Sequence, residues 1–403
     1  MCDLERLRLV APYIDPQLVF SMLCFAENLR VDVKAAMIQL LVKHTKMYDV
    51  AEDIGAVIPE NLKRQLMDEH KSLKELCAPL LKEYFLESDD KPRLCIKADA
   101  EEQRKNGQLS IEVPRRFGVA SKMVQALVDL AYLYHSIGWS AECSHLLRFF
   151  TSLPGVSAEQ EASTAWGLLV SDILAGNWVD AAREVVALEK LTRNNMDGIC
   201  FLHTLLFVAY RGRRPTLLLD VVFGPESYEA YQNIIETRGS HLLRYVLAAH
   251  VVNREKRIAR QRLCEMIIRA QKSSPDPFTT LAVALWVSHD ITAAMKIVQD
   301  IPSMVDGDYF LSAFKSELVN GALKLVFEGY LRSHAEVDMK FVAKQTNQTV
   351  EEAEMWLADL IRVAKIQAKI DSVAQTVMVT PPRNDVYTRL LNKLEGVHRQ
   401  ALV

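Results

Sequence analysis

The sequence predicts a mostly α protein: a right-handed helical-repeat solenoid, then a winged-helix module, then a C-terminal helix. Three observations carry this prediction. Apolar residues before position 336 recur at helical spacing almost throughout. Turns of similar chemistry return at a period of roughly 40 residues, as in helix-hairpin arrays. Residues 337–380 then change from the 3.6-residue rhythm to a two-residue one, in the order of a winged helix-turn-helix.

The first elements are simple amphipathic helices. Leu18, Val19, Met22, Leu23 and Phe25 make one apolar face, and Ala36, Met37, Leu40 and Leu41 the next. The stretch from Glu60 to Phe85 continues the pattern through Leu62, Leu66, Leu73, Leu76, Leu80 and Leu81. Residues 87–112 break it with acidic, basic and Gly/Pro-containing runs, which reads as a solvated loop or linker and a candidate boundary. From Val119 onward helices come in pairs. Gly138-Trp139-Ser140-Ala141 follows one apolar helix and Gly176-Asn177-Trp178-Val179-Asp180-Ala181-Ala182 another, their tryptophans 39 positions apart. Ser288-His289-Asp290-Ile291-Thr292-Ala293-Ala294 repeats the chemistry, and small residues after each turn let antiparallel helices approach closely.

In the winged helix, Val337-Asp338-Met339 starts a short strand and Lys340 to Gln345 a short helix. Thr349 at the N-cap and Glu352 at N3 then form a capping box for a second helix. Its apolar stripe is Val350, Ala353, Leu357, Leu360, Ile361 and Ala364, with Trp356 beside it. Ile366, Ala368 and Ile370 alternate with polar residues, Ser372 to Gln375 turns, and Val377 and Val379 close the wing. The exposed face of the second helix carries Glu351, Glu352, Glu354 and Asp359 against Arg362, so docking it on phosphate forfeits the counterion-release term. The early acids also complement the helix dipole. Such a module is expected to meet protein.

After Thr380-Pro381-Pro382, a last helix carries Tyr387, Leu390, Leu391, Leu394, Val397, His398 and Ala401 on one stripe. A helix this short is marginal alone, so the stripe needs a partner, either the chain's own solenoid or another subunit. The expected domains are helical repeats over 1–86, a charged linker over 87–116, further repeats over 117–320, the winged helix over 321–380 and the terminal helix over 381–403.

Composition narrows function. The chain has 403 residues and a formal net charge of −3, which disfavours binding nucleic acid or anionic membrane with the whole surface. It shows no membrane-spanning run, signal peptide or transit pattern. Seven scattered cysteines without a Cys-x-x-Cys read as reduced thiols of the cytosol or nucleus. Phosphate loops, nucleophile elbows, dinucleotide fingerprints and zinc-binding histidine pairs are missing, and acidic pairs such as Asp89-Asp90 read as solvated charge. No catalytic, metal-binding or cofactor-binding residues are assigned, and a non-enzyme is expected. His135, His145, Trp139 and Trp178 read as core or rim residues. Two basic clusters stand out: Arg254, Lys256, Arg257, Arg260 and Arg262 on one stretch, and Arg211, Arg213 and Arg214 at a turn. Each is either a solvated face or a contact for RNA phosphate or an acidic partner, and neither has interleaved aromatics for base stacking.

Helical repeats leading into this winged helix and one last helix resemble the PCI-domain family, found in the proteasome lid, the COP9 signalosome and translation initiation factor 3. The carrying segments are Ala11-Pro12-Tyr13-Ile14-Asp15-Pro16-Gln17-Leu18-Val19-Phe20, Asp172 to Ala182, His241-Leu242-Leu243-Arg244-Tyr245, Thr349 to Trp356 and Ala364 to Ser372. They look most like the initiation factor 3 branch, whereas residues 87–116 and 190–240 depart from the pattern. The resemblance implies a cytoplasmic, non-catalytic scaffold subunit of initiation factor 3, assembled with other PCI subunits on the small (40S) ribosomal subunit. It also leaves room for a proteasome-lid or COP9 subunit, or an RNA-binding adaptor. The expected contacts are the wing (Ile366, Ala368, Ile370), the terminal helix (Tyr387, Leu390, Leu391, Leu394) and, toward ribosomal RNA or mRNA, Arg254, Lys256, Arg257 and Arg260.

Overall fold

Apolar residues at helical spacing are buried from the first elements onward. A computed structural model of the chain describes residues 3–28, 33–87, 94–109, 112–113, 121–153, 158–192, 198–253, 257–270 and 276–380. Helix α1 (Asp3–Val10) leads into α2 (Pro16–Asn28) and α3 (Lys34–His44), which bury Leu18, Val19, Met22 and Leu23, then Met37 and Leu41. α4 (Tyr48–Asp53) follows, and the 25-residue α5 (Glu60–Tyr84) buries its last turns through Cys77, Leu80, Leu81 and Tyr84.

Where it is described, the charged stretch after α5 is not the solvated loop its composition suggests. Strand β1 (Phe85–Glu87) pairs antiparallel with β2 (Leu94–Ile96), Phe85 opposite Ile96, and α6 (Ala98–Lys105) follows directly. Leu94, Ala100, Leu109 and Val113 join one core with α5 and the next helices. These anchors stand singly among charges, so no apolar period marks them. The charges themselves form local helix pairs, Glu101 to Arg104 at 2.6 Å and to Lys105 at 3.9 Å.

Four helices then pack each on the next: α7 (Ser121–Ile137), α8 (Ser140–Phe150), α9 (Ala158–Ala175) and α10 (Trp178–Thr192). The two expected glycine turns close α7 and α9 as Schellman motifs, with Gly138 at φ 97° and Gly176 at φ 77°. The paired bonds run from Trp139 N–H to the Tyr134 carbonyl and from Asn177 N–H to the Asp172 carbonyl, each 2.8 Å. Trp139 and Trp178 are half-buried beside these turns. α11 (Gly198–Leu206) runs into a π-helical turn (Phe207–Arg211), followed by α12 (Pro215–Val222), α13 (Tyr228–Thr237), α14 (Leu242–Val252) and α15 (Arg257–Ala270). Residues 1–276 and 302–315 make one compact unit, whose middle is filled by Phe201, Phe207, Tyr210, Tyr231 and Phe310.

Among the described residues the second unit comprises 277–301 and 316–380. It contains α16 (Pro277–Trp286) and most of α17 (Ile291–Val305). The turn between them departs from the other two: His289, not glycine, takes the left-handed conformation at φ 53°. Helix α18 (Lys315–Ser333) underlies the winged helix, which runs β3 (Glu336–Asp338), α19 (Met339–Thr346), α20 (Val350–Ala364), β4 (Ala368–Asp371) and β5 (Thr376–Val379). Its sheet has the order β3-β5-β4, all antiparallel. The C-terminal helix expected over 381–403 lies outside the described residues.

Candidate functional site

Local capping and one shared core build the winged helix. Asp338 accepts from Lys340 N–H at 2.8 Å and starts α19. The Thr349 hydroxyl accepts from Glu352 N–H at 3.3 Å, and the Glu352 carboxylate accepts from Thr349 N–H at 3.0 Å, completing the capping box. Beneath them Phe327 and Leu331 of α18 pack with Val337, Met339, Val342, Ala353, Leu357, Leu360 and Val377. Trp356 stands edge-on to Phe327 and donates from Nε1 to Asn320 at 3.1 Å.

The acidic face of α20 is largely engaged inside the module. Glu352 belongs to the cap, and Glu354 accepts from the Ser372 hydroxyl of the wing turn at 2.6 Å. Asp359 pairs with Arg362 at 2.7 Å and Lys324 at 3.5 Å; the Arg362 hydrogen bond, with help from Lys324, holds its carboxyl below the usual range. Only Glu351 of the four acids has no such role among these contacts. Its place in the first turn complements the helix dipole.

The wing has two functional aspects. Ile366, Ala368 and Ile370 are half-buried, and all three pack against the module's own core, Ile366 just before the strand. Their side chains therefore support the sheet. The edge is in the backbone. Thr380 N–H bonds the Gln367 carbonyl at 2.8 Å, which sets the alternation of the β4–β5 ladder. Lys369 and Asp371 then face β5 in the bonded pairs, and the N–H and C=O groups of Ala368 and Ile370 point away from it. Among the described residues β4 has no strand on that outer side.

The other expected contact residues are less completely placed. Tyr387, Leu390, Leu391 and Leu394 fall outside the described residues, as do Arg254 and Lys256. Arg257 opens α15, and Arg260 lies one turn later, half-buried. Arg262, from the same cluster, is structural: it donates to the Phe223 carbonyl at 3.0 Å and lies 4.2 Å from the Tyr228 ring centroid.

The three upstream segments singled out in the sequence hold long-range polar contacts. Asp15 meets His135 Nε2 at 3.1 Å, tying the start of α2 to the end of α7. Tyr13 stacks on His203 with centroids 4.8 Å apart. His203 Nδ1 faces the Ile199 carbonyl at 2.7 Å, so in the neutral ring that nitrogen donates. Its Nε2 then accepts from His241 Nε2, 2.7 Å away. Burial, and secondarily His241, bring the His203 pKa down to about 4. In the second segment, buried Asp172 accepts from Ser144 at 2.7 Å and from Arg148 at 2.5 Å, while Asp180 approaches Arg148 at 3.5 Å. Burial raises the Asp172 pKa despite these partners. In the third, Arg244 reaches Asp276 at 2.5 Å and Asp308 at 3.2 Å. These partners were not assigned from sequence. The only signal was the oddity of charged and histidine residues within, or at the start of, otherwise apolar helices.

Among the described residues no three His, Cys, Asp or Glu side chains are grouped to hold a metal, and no helix is long and apolar enough to cross a membrane.

Residues 298–381 match the PCI domain family, a span that takes in the end of α17, all of α18 and the winged helix. The chain is 27% identical to the E subunit of eukaryotic translation initiation factor 3 from Arabidopsis thaliana, over 96% of its length and 92% of that protein. It is 28% identical to the same-named subunits of Emericella nidulans and Aspergillus niger, again over 96% of its length, covering 89% and 88% of those proteins.

Proposed function

We propose that this chain, a PCI-domain protein that resembles the E subunit of eukaryotic translation initiation factor 3, is a cytoplasmic scaffold component of that factor. It is not an enzyme; its relatives bear the name of an initiation-factor subunit. The similarity along 96% of the chain carries the reading, because it includes the helical repeats as well as the winged helix and so favours this factor over other PCI assemblies.

Two surfaces would make the assembly. The outer edge of β4, through the backbone groups of Ala368 and Ile370, would add to the sheet of a neighbouring PCI subunit. The apolar stripe of Tyr387, Leu390, Leu391 and Leu394 would enter a helical bundle shared between subunits. The assembled factor would sit on the small ribosomal subunit, with Arg254, Lys256, Arg257 and Arg260 toward RNA phosphate.

Pull-down of the full chain followed by mass spectrometry tests this reading. Initiation factor 3 subunits and 40S proteins are the expected partners; recovery of proteasome or signalosome subunits instead would overturn it. Ala368→Pro removes an N–H that β5 does not use, so the fold should lose under about 1 kcal/mol while neighbouring subunits are lost from the pull-down. Leu391→Asp with Leu394→Asp should do the same for the bundle. Unchanged partner recovery would refute the corresponding contact.

A further inference from the structure

The turn between the π-helical segment and α12 is built in an unusual way. A Cβ added at Gly212 would lie 2.4 Å from the Val208 carbonyl oxygen, so only glycine fits there. Arg213 takes φ 54°, a left-handed conformation that costs a non-glycine residue on the order of 1 kcal/mol. Arg214 N–H closes the turn on the Ala209 carbonyl at 2.7 Å, and Pro215 begins α12. That helix has neither a side-chain cap nor an acidic residue in its first turn. The positive end of its dipole is therefore uncompensated from within.

Three arginines, Arg211, Arg213 and Arg214, are exposed on this turn. The Arg211 guanidinium carbon lies 4.9 Å from the Tyr309 ring centroid, and that of Arg213 5.9 Å from the Phe314 centroid. Among the described residues no carboxylate forms an ion pair with any of the three. By contrast Arg104, Arg148, Arg183, Arg244, Arg269, Arg332 and Arg362 all have one. The aromatic residues missing from the local sequence are thus supplied by a segment nearly a hundred positions downstream.

We propose that this turn binds single-stranded RNA. Its unpaired guanidinium groups donate to backbone phosphates beside the uncapped helix end, and the ring-backed Arg211 and Arg213 offer planar faces on which a base can stack. An acidic peptide would satisfy the charge but leave the planar faces unused, so RNA is favoured. Contact with the rings orders these long side chains in advance and reduces the entropy lost on binding. The inference goes beyond the initiation-factor reading and does not depend on it.

Fluorescence anisotropy of the full chain with labelled oligouridylate, across a salt series, tests the proposal. The three phosphates neutralised at this turn should contribute about −2 to the slope of log K against log salt. Arg211→Gln/Arg213→Gln/Arg214→Gln should weaken binding tenfold or more and flatten that slope by about 2. Absence of binding by the native chain at low salt, or unchanged affinity and slope in the variant, would overturn it. So would polyglutamate displacing the RNA at equal charge concentration, which would assign the turn to an acidic protein partner. Should the triple variant melt early by circular dichroism, Arg214→Gln alone, which disturbs no ring contact, must still flatten the slope by about 0.7.

Discussion

The winged helix and the helical-repeat unit use charge in opposite ways. In the winged helix, charged groups act at or near the surface, over three residues in Thr349 with Glu352 and Asp359 with Arg362, and between neighbouring elements of the same module in Glu354 with Ser372 and Asp359 with Lys324. In the helical unit, beside local pairs such as Glu101 with Arg104, they also act across the fold and in its interior. Arg148 and Asp172 are 24 positions apart, Arg244 and Asp308 64, and His135 and Asp15 120. A surface pair exchanges one hydrated environment for a similar one and contributes little. A buried pair depends wholly on its partner, because the charge left behind has no water. Charge in the first region thus adjusts a structure that apolar packing already holds, and in the second it becomes a condition of that packing.

The largest test removes one partner from a buried pair. Arg244 is 5% exposed and Asp308 1%, so Arg244→Met leaves Asp308 without its countercharge in the core. The expected loss is about 3–5 kcal/mol, read by urea unfolding of the helical unit. A loss below about 1 kcal/mol would show that the interior charges are dispensable and would dissolve the contrast.

A smaller effect concerns the histidine pair. His203 has a pKa of about 4 in the fold and about 6.5 in an unfolded chain. The unfolded chain therefore takes up the proton first as pH falls. Stability from this group is complete above pH 6.5 and is lost as pH drops toward 4. By pH 5 the loss is roughly 2 kcal/mol. The His241 pKa is lowered by burial too, which adds a change of the same sign. Urea unfolding at pH 7 and pH 5 should show the difference, and His203→Phe should remove most of it. A variant as pH-sensitive as the native chain would place the proton uptake elsewhere.

The same contrast explains what was legible in the sequence. The winged helix could be read nearly residue by residue, since its cap, its turn and its two-residue alternation are all local. What could not be read was which strand lies at the edge, because the order β3-β5-β4 depends on how β3 pairs with a strand forty residues later. In the helical unit the apolar faces and the glycine turns were legible. The purpose of Asp15, Asp172, His241 and Arg244 was not, because each finds its partner on another helix or in a distant segment. The polar segment from Leu94 to Val113 was hard to read for a related reason: four separated apolar anchors, Leu94, Ala100, Leu109 and Val113, suffice to join it to a core formed elsewhere. The aromatic backing of Arg211 and Arg213 was hidden in the same way, by sequence distance from Tyr309 and Phe314.

The smallest expected effect sharpens the comparison from the other side. Thr349→Ala removes the hydroxyl that accepts from Glu352 N–H and should cost about 1 kcal/mol, read as a lower melting temperature of the winged-helix unit. The cost is limited because the exposed N–H groups of the first turn can turn to water, and Glu351 and Glu352 still complement the dipole. Ser372→Ala, which removes the exposed bond to Glu354, should cost about 0.5 kcal/mol or less. If either substitution proved as damaging as Arg244→Met, exposure and sequence distance would not be what separates the two regions. If both stay small while partner recovery is unchanged, the charges of α20 serve the module's own geometry, and assembly through the wing rests on the backbone edge of β4.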